Sequence, residues 1–348
     1  YSSGARRWPC YRSAVWRLAV VLLLLSAVQD PSLLPEAVSV ERVSVDARVL
    51  DGGRAVRGLR PEDFRVRIDG DPAELVSVTW VSAEGARPVA LAGRPGDEGP
   101  PSTHVRGRLL VFFFQKDLHP TRTGGLLRLL EKARGMIEGL GPGDLVAVLS
   151  FDTHLKLWCD FTADRQTLLR VLEHDVIFQE RARYVEPGPD PSISYHLGLE
   201  ASRRAASPET ALRLIGEALR EVEGSKTLVF LGHGLGQLSG PTVAVHADYD
   251  HARRALVEAG VTVFSLDVTD ADSHNLEVGL QAIAAETGGF YARTHVFAGQ
   301  AVDRLEQALV GHYVLEVAHP GGPRGRHDLD VALVGRSGRV LARKAYFD

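Results

Sequence analysis

The chain has 348 residues, of which 45% are hydrophobic and 24% are charged, so its composition is that of a folded globular protein and excludes a disordered or fibrous one. Its 40 basic and 44 acidic residues give a net charge of −4, which gives no support for nucleic acid or an anionic membrane surface as the partner. With only Cys10 and Cys159, the chain has neither the framework of a disulfide-stapled scaffold nor the paired cysteines of a zinc site.

Residues 1–29 have the pattern of a targeting peptide. Four arginines precede an apolar run, LAVVLLLLSAV, at Leu18–Val28. A membrane-spanning helix needs about 20 apolar residues, so this shorter run is typical of a signal-peptide core. We therefore expect an exported protein, periplasmic or extracellular, that is linked to the membrane only through this segment. An uncleaved N-terminal anchor is the alternative.

Residues 38–82 predict the N-terminal part of a small antiparallel β unit. Apolar residues alternate along Val43–Val49 and again along Phe64–Ile68, and the Asp69-Gly70 pair that follows is a strong hairpin signal. A third alternating run leads to Trp80. Residues 83–106 are rich in Gly, Pro and Ser, and we interpret them as a linker.

Residues 107–310 change to a different pattern, in which continuous apolar runs alternate with helical ones. Such runs are typical of strands that are buried on both faces, and glycines at the helix ends favour right-handed βαβ units with a parallel sheet. The predicted strands of this kind are Leu109–Phe114, Leu145–Phe151, Thr227–Leu231 and Val261–Asp267. Two of the predicted helices lie near Ser192–Ala205 and Pro208–Val222.

Residues 311–348 return to alternation and predict three strands, at Tyr313–Val317, Leu329–Val334 and Val340–Phe347. Because neither end of the chain alone buries much apolar surface, we expect these strands to pair with the N-terminal ones. The predicted fold class is therefore α/β, with a doubly wound, mainly parallel sheet and an additional antiparallel β unit built from the N- and C-terminal segments.

Candidate ligand-binding residues follow the predicted parallel strands, because ligands of such sheets bind at the carboxyl ends of the strands. Asp117, His119 and Thr121 follow the first strand, and His233 follows the one that begins at Thr227. The acidic stretch Asp267–Asp272 lacks the Gly and the final Glu of a calcium loop, so we expect a solvated turn there.

Several short stretches, taken in order, resemble one family. They are Val56–Phe64 (VRGLRPEDF), Gly143–Phe151 (GDLVAVLSF), Glu286–Gly289 (ETGG), Tyr313–Leu315 and Ala345–Phe347. In this order they resemble the von Willebrand factor A-type domain, and most closely the VWFA-related proteins that are abundant in Acidobacteria. The resemblance covers nearly all of the chain after the leader, and it implies a vWA-like domain that binds a protein partner.

The resemblance also implies a metal-ion-dependent adhesion site, in which a D-x-S-x-S stretch, a Thr and a later Asp hold Mg²⁺. Here Asp117 and Thr121 keep the first acid and the last hydroxyl, but His119 replaces the first Ser and His233 stands where the later Asp is expected. Imidazole nitrogen is a poor ligand for Mg²⁺, so we expect a degenerate site. Two alternatives stay open: these four residues hold a transition metal such as Zn²⁺, or they form a metal-free contact surface. We call Asp117–Thr121 together with His233–Gly236 the rim.

The sequence favours binding over catalysis. It contains no G-x-S-x-G elbow and no phosphate-binding glycine loop, and we expect no enzymatic activity and no cofactor. Gly232-His233-Gly234 resembles the His element of caspase-like peptidases, but Asp267 stands where that chemistry needs a cysteine. The predicted function is an exported, adhesion-type protein-interaction module with an unidentified protein partner. A degenerate caspase-like hydrolase and a structural envelope component are the alternatives.

Overall fold

The computed structural model describes residues 42–82, 85–89, 108–117, 119–179, 182, 185, 191–239, 242–244, 247–271, 274–319, 321 and 323–348. The predicted leader and most of the predicted linker lie outside these residues. Within them, no helix combines the length and the apolar character that crossing a membrane requires.

The elements below are numbered in chain order. The strands are β1 (Arg42–Asp51), β2 (Arg54–Ala55), β3 (Phe64–Ile68), β4 (Asp71–Ala73), β5 (Leu75–Ser82), β6 (Gly85–Val89), β7 (Leu109–Gln115), β8 (Leu145–Phe151), β9 (Leu155–Thr162), β10 (Lys226–Gly232), β11 (Gln237–Ser239), β12 (Thr242–Ala244), β13 (Val261–Asp267), β14 (Tyr291–Arg293), β15 (Gly311–Ala318), β16 (Arg326–Leu333), β17 (Arg339–Ala342) and β18 (Ala345–Phe347). The helices are α1 (Pro120–Glu138), α2 (Arg165–Arg170), α3 (Val176–Phe178), α4 (Leu199–Arg204), α5 (Pro208–Arg220), α6 (Ala247–Glu258), α7 (Glu277–Glu286) and α8 (Ala298–Ala308), and a π-helical turn at Val171–Asp175 joins α2 to α3.

A six-stranded sheet with the order β14-β13-β10-β7-β8-β9 forms the centre of the α/β domain. Its pairings are parallel except for that of the edge strand β9 with β8. Side chains of β7 alternate between two cores, with Phe112 and Phe114 in one and Val111 and Phe113 in the other. Helices α1, α2 and α8 cover the first core, and α5, α6 and α7 cover the second. The predicted doubly wound, mainly parallel sheet is therefore confirmed.

Two antiparallel sheets form the β unit, and both ends of the described chain contribute to each. One has the order β17-β1-β15-β5-β6, with β2 on β1, and the other has the order β18-β16-β3-β4. One apolar core lies between them, with Val45 and Tyr313 from the first sheet and Ile68 and Leu329 from the second. The predicted antiparallel β unit is confirmed, because N-terminal strands pair with C-terminal ones in both sheets.

The C-terminal strands and the linker differ in detail from the prediction. Val340–Phe347 is not one strand, because β17 pairs with β1 in one sheet and β18 pairs with β16 in the other. In the segment predicted as a linker, Gly85–Val89 forms β6, which turns back onto β5 from Ser82. Pro88 is tolerated there because β6 is an edge strand and needs no second ladder of hydrogen bonds.

The helix predicted near Ser192–Ala205 begins only at Leu199. The hydroxyls of Ser192 and Ser194 each donate a 2.6 Å hydrogen bond to Oδ2 of Asp160 on β9. Such side-chain bonds compete with helix formation, so this segment is held against the edge of the sheet instead.

The β unit packs against the amino ends of the parallel strands, through the buried Arg48 of β1. Its guanidinium donates hydrogen bonds of 2.8 Å to Thr227 Oγ1 on β10 and of 2.9 Å to Thr262 Oγ1 on β13. Its Cζ lies 5.5 Å from the ring centre of Phe264. Because parallel strands have all their carboxyl ends on the other side, that side of the sheet is the one available for a functional site.

Candidate functional site at the carboxyl ends of the parallel strands

Asp117 and His233 of the rim lie close together, because the two residues follow the neighbouring parallel strands β7 and β10. Nε2 of His233 lies 3.8 Å from Oδ2 of Asp117. His119 is the exposed residue that precedes α1, and its backbone N–H donates a 2.9 Å hydrogen bond to Oδ1 of Asp117. Thr121 lies in the first turn of α1, and its side chain is outside what the structure describes.

A guanidinium faces Asp117, and sequence reasoning missed it. Nη1 of Arg122 forms a hydrogen-bonded ion pair with Oδ2 of Asp117. Thr123 Oγ1 donates a 2.9 Å bond to the carbonyl of Asp117 and so closes the loop. Burial raises the pKa of Asp117, but the His119 N–H and Arg122 outweigh it and hold this pKa below its ordinary value. The only available sequence signal was a basic residue in the first turn of a helix just after the acid.

His233 has a largely buried imidazole, with 13% of the side chain exposed. Its backbone N–H donates a 3.0 Å hydrogen bond to Oε1 of Gln115, while its Nδ1 is buried and finds no hydrogen-bond partner among the described residues. Burial, together with the nearby charge of Arg122, lowers the pKa of His233 to about 4. At neutral pH the imidazole is therefore uncharged, and Arg122 provides the positive charge that faces Asp117.

The predicted metal ligands do not belong to either of the two clusters of closely spaced ligand atoms that the described residues contain. Two groups of three or more His, Cys, Asp or Glu side chains there bring their ligand atoms within 4.8 Å of one another. One consists of Asp267, His274 and Glu277, and the other of His319, His327 and Asp348. Neither contains a rim residue, so a metal on Asp117, His119, Thr121 and His233 stays a prediction.

The expectation of a solvated turn at Asp267–Asp272 is wrong for its first residue. Asp267 is 2% exposed and accepts hydrogen bonds from His274 Nε2 at 2.7 Å and from the Tyr291 hydroxyl at 2.8 Å. Burial raises its pKa, but these donors outweigh it and hold the pKa below the ordinary value. The partners come from the next loop and from β14, which no local pattern indicates. Asp272 lies outside the described residues.

Asp270, in the loop after β13, ties three elements together. Its Oδ1 accepts a 2.9 Å hydrogen bond from Nη2 of Arg128 on α1 and a close contact from Nδ1 of His295, which follows β14. Helix α1 and the loops after β13 and β14 thus share one set of charged contacts. These contacts hold α1 and the two loops together at the carboxyl end of the sheet.

Large apolar side chains are exposed in segments that follow β13 and β14. Val296 and Phe297, which follow β14, are each 62% exposed, and Val278 at the start of α7 is 53% exposed. Sequence reasoning missed them as well. We call the rim together with Arg122, Asp270 and His295–Phe297 the strand-end surface.

The geometry does not bring Cys159 to His233. Cys159 lies on β9, and β7 and β8 separate that strand from β10. Burial and the neighbouring Asp160 raise the pKa of its thiol to about 11, the opposite of what a nucleophilic cysteine needs. The structure therefore disfavours a caspase-like arrangement of these two residues.

No protein-family model and no curated protein matches the chain. Among solved structures, the chain is similar to a von Willebrand factor type A protein from Catenulispora acidiphila, with 12% identity, coverage of 85% of this chain and 75% of that one, and a TM-score of 0.42. A von Willebrand A-type structure is thus among its structural matches. The VWFA-related acidobacterial family stays a prediction.

Two further solved structures are similar to the chain. Human COPII-coat protein Sec24c shares 11% identity over 70% of this chain and 44% of its own, with a TM-score of 0.40. An aerotolerance-related membrane protein from Bacteroides fragilis shares 14% identity over 58% of this chain and 98% of its own, with a TM-score of 0.37. The chain therefore spans less than half of Sec24c. The doubly wound architecture rests on the strand pairing of this chain, and the similarities carry no statement about its function.

Proposed function

We propose that this protein is an exported, adhesion-type interaction module that binds a protein partner through the strand-end surface, without a metal ion. The observation that carries the proposal is the exposed pair Val296 and Phe297, which follows β14 at the same end of the sheet at which the ion pair of Asp117 and Arg122 follows β7. Export is supported by the leader pattern of residues 1–29.

The apolar pair supplies the anchor for a partner. Aromatic side chains that are ringed by polar groups are the usual centres of binding energy in protein interfaces. Phe297 follows His295 directly in sequence, and His295 contacts Asp270, which Arg128 also holds. An aromatic ring of 62% exposure on such a rigid base loses little conformational freedom when it is buried.

The ion pair supplies the polar contact. The Arg122 side chain is 31% exposed, and a guanidinium carries five N–H donors in a fork that matches a carboxylate. In a metal-dependent adhesion site the cation leaves one position for a carboxylate of the partner. We propose that Arg122 takes over this task, so that the partner presents an acidic residue next to an apolar pocket.

Affinity capture from envelope extract tests the proposal with the full chain as bait. The wild type in the presence of EDTA should retain a protein that Phe297→Ser and Arg122→Ala each retain at least tenfold less. Phe178→Ser is the matched control, because this phenylalanine is 71% exposed, lies at the end of α3 and is not one of the residues of the strand-end surface. Equal loss with Phe178→Ser, or capture that needs an added divalent cation, would contradict the metal-free surface.

The same proteins separate the two alternatives. A hydrolase predicts cleavage of peptide substrates by the wild type and none by His233→Ala. A structural envelope component predicts that substitutions on the strand-end surface change nothing in the capture experiment.

A further inference from the structure

We propose that His319, His327 and Asp348 form a Zn²⁺ site that fastens the two sheets of the β unit to each other. His319 follows β15 in the first sheet, His327 lies on β16 in the second, and Asp348 follows β18 in the second. This site is separate from the strand-end surface and does not depend on the proposed function, because the β unit packs at the amino ends of the parallel strands.

The three ligand atoms are already close to the spacing that zinc requires. Oδ2 of Asp348 lies 2.9 Å from Nε2 of His319 and 3.2 Å from Nε2 of His327. Zinc–ligand bonds of about 2.0–2.1 Å in a tetrahedron place two ligand atoms about 3.3 Å apart. The side chains of both histidines are 6% exposed and that of Asp348 is 17% exposed, so the ligands are shielded but a fourth position is open to water.

His327 is oriented as a metal ligand. Its Nδ1 lies 2.7 Å from Oδ2 of Asp69, so this nitrogen carries the proton and Nε2 turns its lone pair toward the cluster. Nε2 is buried and, among the described residues, makes no hydrogen bond of good geometry; its nearest ionic neighbour is Oδ2 of Asp348 at 3.2 Å. The ring of Tyr346 stacks on the imidazole at 5.0 Å with an interplanar angle of 20°. A carboxylate behind a ligating histidine is the usual support of a zinc site.

His319 and Asp348 need only small changes to bind. Nδ1 of His319 accepts a 2.9 Å hydrogen bond from the N–H of Gly321, so its Nε2 carries the proton that faces Asp348. When zinc takes Nε2, that proton moves to Nδ1 and the Gly321 contact opens, with no net proton released from the ring. Oδ1 of Asp348 accepts from the N–H of Gly325 at 2.6 Å, which leaves Oδ2 for the metal.

Two imidazoles and one carboxylate favour Zn²⁺ over Mg²⁺ and Ca²⁺, which prefer six or more oxygen ligands. The other close ligand group, Asp267, His274 and Glu277, is less suited to an ion. Glu277 accepts two hydrogen bonds from Arg293, at 2.9 and 2.7 Å, and the Tyr291 hydroxyl contacts both acids. Protein donors therefore already occupy its carboxylates.

Calorimetric titration of the full chain, free of any histidine tag, with Zn²⁺ alone tests the site. We expect one zinc per chain for the wild type, and at least hundredfold weaker binding for His319→Ala and for His327→Ala. Asp69→Asn, which removes only the support behind His327, should weaken binding about 10–100-fold. His251→Ala is the matched control, because His251 is exposed on α6, and it should bind as the wild type does.

Two further variants decide between the candidate sites. Loss of binding in His274→Ala or His233→Ala, with binding kept in His319→Ala, would overturn the proposal, and so would a wild type that takes up no zinc. Zinc should also raise the Tm of the wild type and leave that of His319→Ala unchanged, because a metal ion that binds across two sheets stabilises only the folded state. If His327→Ala fails to fold, the milder substitutions His319→Gln and Asp69→Asn still test the site.

Discussion

Nε2 of His233 lies 3.8 Å from Oδ2 of Asp117, although one residue follows β10 and the other follows β7. The neighbouring parallel strands bring them together, but burial keeps the imidazole uncharged at neutral pH. Arg122 therefore supplies the positive charge facing this carboxylate, so the rim is ordered by an ion pair within its own chain.

Removing that guanidinium should change the titration of Asp117. In Arg122→Ala we expect the pKa of Asp117 to rise, because burial continues to disfavour the carboxylate while one of its two main stabilising partners is gone. NMR titration of the side-chain carboxyl groups measures the pKa of Asp117. Arg134→Ala on the same helix, which removes an exposed pair with Glu138, should leave Asp117 unchanged. An unchanged pKa in Arg122→Ala would mean that the backbone N–H of His119 alone sets it.

The free energy of unfolding should fall as the pH drops from about 6.5 to about 4. Burial lowers the pKa of both His233 and His312 to about 4, so the unfolded chain takes up these protons first. Above pH 6.5 both imidazoles are neutral in the folded and in the unfolded chain. Below it, the free energy of unfolding falls by about 1.4 kcal/mol per pH unit for each imidazole. Urea unfolding at several pH values measures this slope. His312→Gln should reduce this slope by the contribution of one imidazole, whereas substitution of the exposed His251 by Gln should leave it unchanged. Equal slopes for the wild type and His312→Gln would contradict the lowered pKa of His312.

Two glycines of α1 should respond to alanine in opposite directions. A Cβ on Gly125 would lie 1.8 Å from the carbonyl oxygen of Val268, so Gly125→Ala must push α1 away from β13 and should destabilise the fold by about 1–3 kcal/mol. A Cβ on Gly135 meets nothing within 4 Å, so Gly135→Ala should stabilise the helix by about 0.5–1 kcal/mol. Chemical denaturation compares them. Similar effects of the two substitutions would refute the tight packing at Gly125.

Arg48→Met should loosen the contact between the β unit and the parallel sheet. It removes the hydrogen bonds to Thr227 and Thr262 and leaves their buried hydroxyls without these donors, so we expect a loss of about 3 kcal/mol. Thermal unfolding by circular dichroism checks it. Arg65→Met, on the exposed side of β3, is the control and should change stability by less than about 0.5 kcal/mol.

Cys159 should be unreactive in the folded protein. Its thiol is buried, and its raised pKa of about 11 leaves almost no thiolate at neutral pH. In a Cys10→Ser background, alkylation by iodoacetamide should be slow until the chain is unfolded, and mass spectrometry follows it. Rapid alkylation of the native protein would revive the hydrolase alternative.

The sequence by itself determined the two sheet types. Continuous apolar runs such as Leu109–Phe114 indicate strands that are covered on both faces, and alternating runs such as Phe64–Ile68 indicate strands covered on one. Both patterns are local, so they can be recognised without knowing what packs against them. The order of strands and helices then placed Asp117 and His233 at the same end of one sheet, which the structure confirms.

Only the tertiary structure decided which side chains meet. Asp267 is buried by Tyr291 and His274, and His327 meets His319 and Asp348 across two sheets, because those partners come from other segments. The contact of Arg122 with Asp117 depends on side-chain torsions, and no periodic pattern in the sequence indicates these torsions. Apolar periodicity encodes which face of an element is buried, whereas the pairing of polar groups depends on distances that exist only after the elements have packed.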